Sequence, residues 1–150
     1  MSKQLKIFKL PEDEETLRAA NAEISFPLSD EIRALIDDMK QTVREAPGIG
    51  LAAPQIGKNL MLAIVNLEEL GPPFAVINPK ILSKSIKKDE MEEGCLSIPG
   101  WFTKVKRPAR VEVEAFLDDG SKVVFKADGL FAKVLQHEID HLNGVLIRDK

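Results

Sequence analysis

From Ser29 onward polar and apolar residues follow each other with the period of a helix. Ser29 stands as an N-cap, Asp30 and Glu31 occupy the first turn, and Ile32, Leu35, Ile36, Met39 and Val43 fall on one face. The spacing predicts an amphipathic helix that ends near Ala46, because Pro47-Gly48 and Gly50 follow. The middle of the chain reads as strands instead: Leu60 to Leu67, Phe74 to Ile81, and Val111 to Phe116 with Glu112 and Glu114 alternating outward. Asp118-Asp119-Gly120-Ser121 predicts a hairpin into Lys122-Val123-Val124-Phe125. The patch from Lys84 to Glu93 is mixed in sign and reads as a solvated loop or edge. A second helix is expected from about Gly129 to Asn143, with Gly144 placed to terminate it. Its Leu130, Phe131, Ala132, Val134, Leu135, Ile139 and Leu142 lie nearly all round, which predicts a central, buried helix. Helices separated by short antiparallel strands give an α+β class, and no repeat, low-complexity tract or linker divides residues 1–150, so one domain is expected.

Composition narrows the function classes. In 150 residues, 44 % are hydrophobic and 30 % charged, a globular balance that excludes disorder as the default state. The net charge of −3 and the few aromatics (seven Phe, Trp101, no Tyr) provide neither a basic footprint nor stacking platforms, which speaks against a nucleic-acid binder. The longest apolar run, Leu60 to Val65, is far shorter than a bilayer span, and Met1-Ser2-Lys3-Gln4-Leu5-Lys6 has no signal-peptide apolar region. A cytosolic protein without a membrane partner is expected. The single Cys95 cannot form an intrachain disulfide, in keeping with a reducing compartment.

Both histidines of the chain lie in His137-Glu138-Ile139-Asp140-His141, on the helix expected to be buried. A separation of four puts His137 and His141 on one face one turn apart, where they can share a metal ion, with Glu138 beside them as a carboxylate base. A catalytic site normally needs a third protein ligand. The third histidine of a metzincin would fall at Ile147, and within the 150 residues no later helix offers a carboxylate. The ligand is therefore sought upstream, where Cys95 is the best candidate, a Cys-His-His set suiting zinc or ferrous iron; a carboxylate such as Asp140 or Glu93 stays open. An endopeptidase shares the His-Glu-x-x-His pattern but lacks this chain's upstream solution, and a closed structural zinc site would need four ligands. Gly48-Ile49-Gly50-Leu51-Ala52-Ala53 matches a permissive dinucleotide fingerprint, yet a helix precedes it and Pro54 opposes a helix after it. It reads better as a glycine-rich loop that brings backbone close to a substrate, or as a helix-terminating turn.

Taken in order, Gly48-Ile49-Gly50-Leu51-Ala52-Ala53-Pro54-Gln55, Glu93-Gly94-Cys95-Leu96-Ser97 and Gln136-His137-Glu138-Ile139-Asp140-His141 resemble the three signature motifs of the peptide deformylase family. The resemblance implies a single α+β catalytic domain in which antiparallel sheets surround a metal-binding helix. It implies hydrolysis of the N-formyl group of nascent polypeptides beginning with formylmethionine, with release of formate. By the same resemblance Cys95, His137 and His141 bind one divalent metal ion, Fe(II) in cells, with Zn(II), Ni(II) or Co(II) in purified protein. Glu138 would move the water proton to the leaving amine, and the Gln55 amide and Leu96 N–H would stabilise the oxyanion. Ile49, Gly50, Leu130 and Val134 would approach the methionine side chain, and Glu93 would pair with Arg107 to brace the cysteine loop. Lys133 stands where many relatives have an apolar pocket residue, and the sequence to Lys150 lacks the extended C-terminal helix of several bacterial members. The partners so implied are formylmethionyl nascent peptides and a transient contact with the ribosome, for a monomer of the cytoplasm, or of an organelle matrix after loss of a transit peptide.

Overall fold

The computed structural model describes residues 3–150. A short helix α1 (Glu14–Arg18) precedes α2 (Asp30–Glu45). In α2 the Ser29 hydroxyl accepts the Ile32 N–H at 3.1 Å, the expected cap, and Ile36, Met39 and Val43 are buried on the expected face. Seven strands follow: β1 (Gly50–Ala52), β2 (Leu62–Val65), β3 (Phe74–Lys84), β4 (Lys88–Cys95), β5 (Ile98–Pro108), β6 (Arg110–Phe116) and β7 (Lys122–Asp128), and then α3 (Gly129–Leu142). Strands β1, β2, β3, β6 and β7 form one antiparallel sheet in that order, and β4 with β5 a separate two-stranded ribbon.

The sheet is covered on both faces, which explains why β2 is an unbroken apolar run. Leu62 and Ile64 belong to the cluster containing Met39 and Val43 of α2, whereas Ala63 and Val65 belong to the one containing Leu135 and Ile139 of α3. On the α3 side the strands present the small Ala63, Ala115 and Ala127, so the helix can lie close against them. The opposite side of α3 meets the ribbon, through ion pairs described below. The histidine-bearing helix is thus enclosed between sheet and ribbon, as an α+β fold of this kind requires.

The Asp118–Ser121 hairpin forms as read, with Leu117 N–H donating to the Ser121 carbonyl at 2.9 Å and Gly120 at φ 83°. The Lys84 to Glu93 patch, read as a solvated loop or edge, is an edge: beyond the turn after Lys84 the segment is β4. Its outward ladder is polar, Glu90 opposite Lys106 and Glu92 opposite Lys104. Its inward positions carry a charge at Glu93, so no apolar alternation marks the strand. The amino-terminal segment straps across two loops, Phe8 N–H donating to the Gln55 carbonyl at 2.6 Å and Leu10 N–H to the Ser97 carbonyl at 2.9 Å.

Candidate metal centre

Helical spacing places His137, Glu138 and His141 on α3, and the end of β4 brings Cys95 to them. One ligand atom from each of Cys95, His137 and His141 lies within 4.8 Å of the other two, close enough for a single ion to touch all three. Cys95 Sγ and His141 Nε2 are 3.2 Å apart. His137 turns Nδ1 to Glu93 Oε1 at 3.2 Å, which leaves Nε2 as its ligand atom and fixes the ring. The carboxylates that remained open as third ligands are engaged elsewhere. Arg107 holds both oxygens of Glu93, at 2.7 and 2.9 Å, and donates to Asp140 Oδ2 at 2.7 Å. The expected Glu93–Arg107 pair is therefore present and buried, and Asp140 joins it from the back of the helix.

Electrostatics favour a cation here. Burial disfavours charge on His137, yet the hydrogen bonds to the Cys95 and Glu93 side chains hold its pKa up to about 10, so positive charge is favoured beside them. Burial raises the Glu93 pKa, but the hydrogen bonds from His137 and Arg107 override it and bring it down to about 2. Burial, aided by the charges of His137 and Arg107, pushes His141 well below its ordinary value, towards the neutral imidazole that a metal ligand needs. Glu138 is raised to about 7 by burial, against the opposing charges of His137 and Arg107.

Among the described residues two buried side-chain polar atoms, Glu138 Oε1 and His141 Nδ1, find no hydrogen-bond partner. An orphaned carboxylate oxygen next to three soft and borderline donors fits a site built to act on something it binds. Gly50 makes room for it: a Cβ at that position would sit 2.4 Å from Glu138 Oε2. Glycine there serves a close approach, though the approaching group is the Glu138 carboxylate, and the segment is an edge strand, β1, rather than a loop. Gln55, in the 3₁₀ turn Ala53–Ile56, is almost fully buried. Its Oε1 accepts the Ala52 N–H at 2.9 Å, so its Nε2 is aimed at Ser97 Oγ, 3.1 Å away, and Cys95 Sγ, 3.6 Å away.

A cleft of about 630 Å³ opens onto these groups, and Ile49, Gly50, Gln55, Leu96, Val134 and Glu138 contribute to its lining. Leu130 stands in an adjoining groove that shares Gly48 and Ile49 with it. Ser97, fully buried against Gln55, was not singled out from the sequence; a serine two residues after Cys95 carries no local signal of that contact. The Phe8 and Leu10 strap was equally invisible, because its hydrogen bonds come from backbone.

The polypeptide deformylase family model matches residues 4–150. A peptide deformylase of Brucella suis is 48 % identical over 123 residues, covering 80 % of this chain and 70 % of its own length. The crystal structure of a Synechococcus elongatus peptide deformylase in complex with actinonin superposes with a TM-score of 0.88 at 44 % identity, over 95 % of this chain and 75 % of that one. A K1U-bound class I type b peptide deformylase from Acinetobacter baumannii superposes with a TM-score of 0.93 at 34 % identity, over 99 % of this chain and 100 % of that one. Matched nearly end to end by the family model, the chain belongs to the polypeptide deformylase family.

Proposed function

We propose that this enzyme hydrolyses the N-formyl group of peptides beginning with formylmethionine, using one divalent metal held by Cys95, His137 and His141. The observation that carries the proposal is the meeting of those three donors with the buried, unpartnered carboxylate of Glu138. When bound, the metal supplies Lewis acidity, which polarises the formyl carbonyl and acidifies water. Glu138 takes a proton from the attacking water and delivers it to the departing amine nitrogen, so that water and the formamide become formate and a free amino terminus. A carboxyl group whose pKa lies near 7 is suited to both halves of that transfer. Gln55 Nε2 and the Leu96 N–H are the proposed donors to the oxyanion. The Ala52 bond that fixes the Gln55 amide supports this, since a preorganised donor costs no reorganisation as charge develops.

Glu93 and Arg107 hold the His137 ring in place, and Ile49, Gly50 and Val134 offer the methionine side chain an apolar wall. A thiolate with two imidazoles suits Fe(II) in cells and equally Zn(II), Ni(II) or Co(II) in purified protein. Formylmethionyl nascent chains, met in passing at the ribosome by a monomer, are the proposed partners. The cytoplasm is the proposed compartment, where a reducing environment keeps the Cys95 thiol free. The test is formate release from a formylmethionyl peptide by anaerobically purified protein of known metal content, with Glu138→Ala alongside. That variant should keep its metal and lose about 100- to 10,000-fold in turnover. Near wild-type turnover in Glu138→Ala, or cleavage at internal peptide bonds in place of deformylation, would refute the reading.

A further inference from the structure

Lys133 lies one helical turn before His137 on α3, and a spacing of four puts the two side chains on one face. It lines the same cleft as Ile49, Gly50 and Val134, half-buried, with its ammonium reaching across to β4 to donate to the Glu92 carbonyl at 2.8 Å. The ion pairs among the described residues leave it without a carboxylate. Of the acidic groups lining the cleft, Glu93 is taken by Arg107 and His137, while Glu45 and Glu138 make no pair with Lys133. An ammonium has three donors, and one bond to a carbonyl leaves two.

Those two donors have nothing to offer an ordinary methionine. A thioether is a weak acceptor, and in a cleft that Lys133 lines together with Ile49 and Val134 it would meet the four-carbon lysine stem as one more apolar surface. Oxidation of the methionine changes the match: the sulfoxide keeps the carbon skeleton and adds a strong acceptor oxygen. In a wholly apolar pocket that oxygen would be stripped of water without replacement, whereas a cationic donor on the wall replaces the lost hydrogen bond.

We infer that the cleft admits formylated peptides whose first residue is methionine sulfoxide, with the Lys133 ammonium as hydrogen-bond donor to the sulfoxide oxygen. The inference rests on the deformylase reading and extends its substrate range. The bond cleaved is the same formyl C–N bond, water supplies the oxygen of formate and the proton of the amine, and the sulfoxide leaves unchanged, so no oxidant or reductant enters.

The experiment measures formate release from formyl-methionyl-alanyl-serine and from each epimer of its sulfoxide, with wild type, Lys133→Leu and Lys133→Arg at measured metal content. For wild type, kcat/KM on the better epimer should lie within about tenfold of that on the thioether, as expected where the lost water is replaced by a charged donor. In Lys133→Leu the sulfoxide-to-thioether ratio should fall by about 10- to 100-fold, and Lys133→Arg should retain most of it. The inference is overturned if wild type cleaves the thioether peptide but neither epimer of the sulfoxide, if Lys133→Leu leaves the ratio unmoved, or if Lys133→Arg loses it as fully as Lys133→Leu. Failure on every peptide by metal-loaded wild type would instead sink the deformylase reading, and this inference with it.

Discussion

Replacing Gly50 by alanine puts a methyl group 2.4 Å from Glu138 Oε2, 2.9 Å from its Cδ and 3.1 Å from its Cγ. Contacts of that kind are not tolerated below 3.0 Å, so the carboxylate has to retreat from 2.4 Å to at least 3.0 Å. The backbone raises no objection, since Gly50 is not among the glycines with positive φ. Glu138 is 3 % exposed and its neighbours Leu135, Ile139 and Leu142 belong to the packed core, so the retreat misplaces the proton-transferring oxygen instead of being absorbed. A full ångström of misplacement in a group that must meet reacting atoms costs on the order of 100-fold in kcat, so a retreat from 2.4 Å to at least 3.0 Å should cost about 10- to 100-fold. The three atoms nearest the new methyl all belong to Glu138, so metal content should stay at the wild-type value. The assay is formate release together with metal analysis, and it gains force from a double-variant cycle. In a Glu138→Ala background the added Gly50→Ala has no carboxylate to displace and should change residual turnover by less than about threefold, a marked departure from additivity. Full metal with turnover within about threefold of wild type in Gly50→Ala, or an undiminished effect in the Glu138→Ala background, would refute the steric account.

Cys95→Ala, His137→Ala and His141→Ala should each lose most bound metal and nearly all activity; full stoichiometric metal in Cys95→Ala by elemental analysis would remove it from the ligand set. Arg107→Leu leaves the buried Glu93 carboxylate without its forked partner and the half-buried Asp140 with Lys150 alone, and should cost about 3–5 kcal/mol in urea unfolding at unchanged m. Arg107→Lys should recover little of that loss, because Lys cannot hold both Glu93 oxygens as a fork, and full recovery would contradict the bidentate geometry. At the chain's far side the Arg18 hydrogen bonds lower Asp149 from 3.8 to about 2. A carboxylate with a depressed folded-state pKa stabilises the fold above pH 3.8, and that contribution is lost as the pH falls through about 2. Asp149→Asn should therefore be less stable than wild type above that window and converge with it below, in thermal melts followed by circular dichroism; parallel curves at all pH values would count against the pairing.

The parts of this enzyme legible in its sequence are those whose geometry is local. A helix fixes the relation between positions four apart, so His137, His141 and the neighbouring Glu138 could be read as one constellation before any fold was known, and Ser29 announced α2 by its own hydroxyl. Cys95 stood out as the best upstream candidate, because the chain holds no other cysteine and no histidine outside α3, with Asp140 and Glu93 still open beside it. What escaped depends on pairing between distant segments. Strand β1 is three residues long and exists through its register with β2, Gly50 opposite Val65, which no period in three residues can announce. The ribbon looked like a solvated charge run because the inward Glu93 and Arg107 are polar, and they are polar because they serve His137 and Asp140 on a helix packed against them. A buried charge is affordable there through three-way pairing alone, so the strand that carries it breaks the apolar alternation from which strands are read. The same reasoning explains Gly50: its need for no side chain comes from Glu138, far along the chain, and is invisible until the edge strand and the helix are brought together. At β4 the hydrophobic pattern therefore misleads because the inward Glu93 answers to His137 on α3 and not to a core, whereas in β1 Gly50 alone answers to Glu138, Leu51 and Ala52 being core residues.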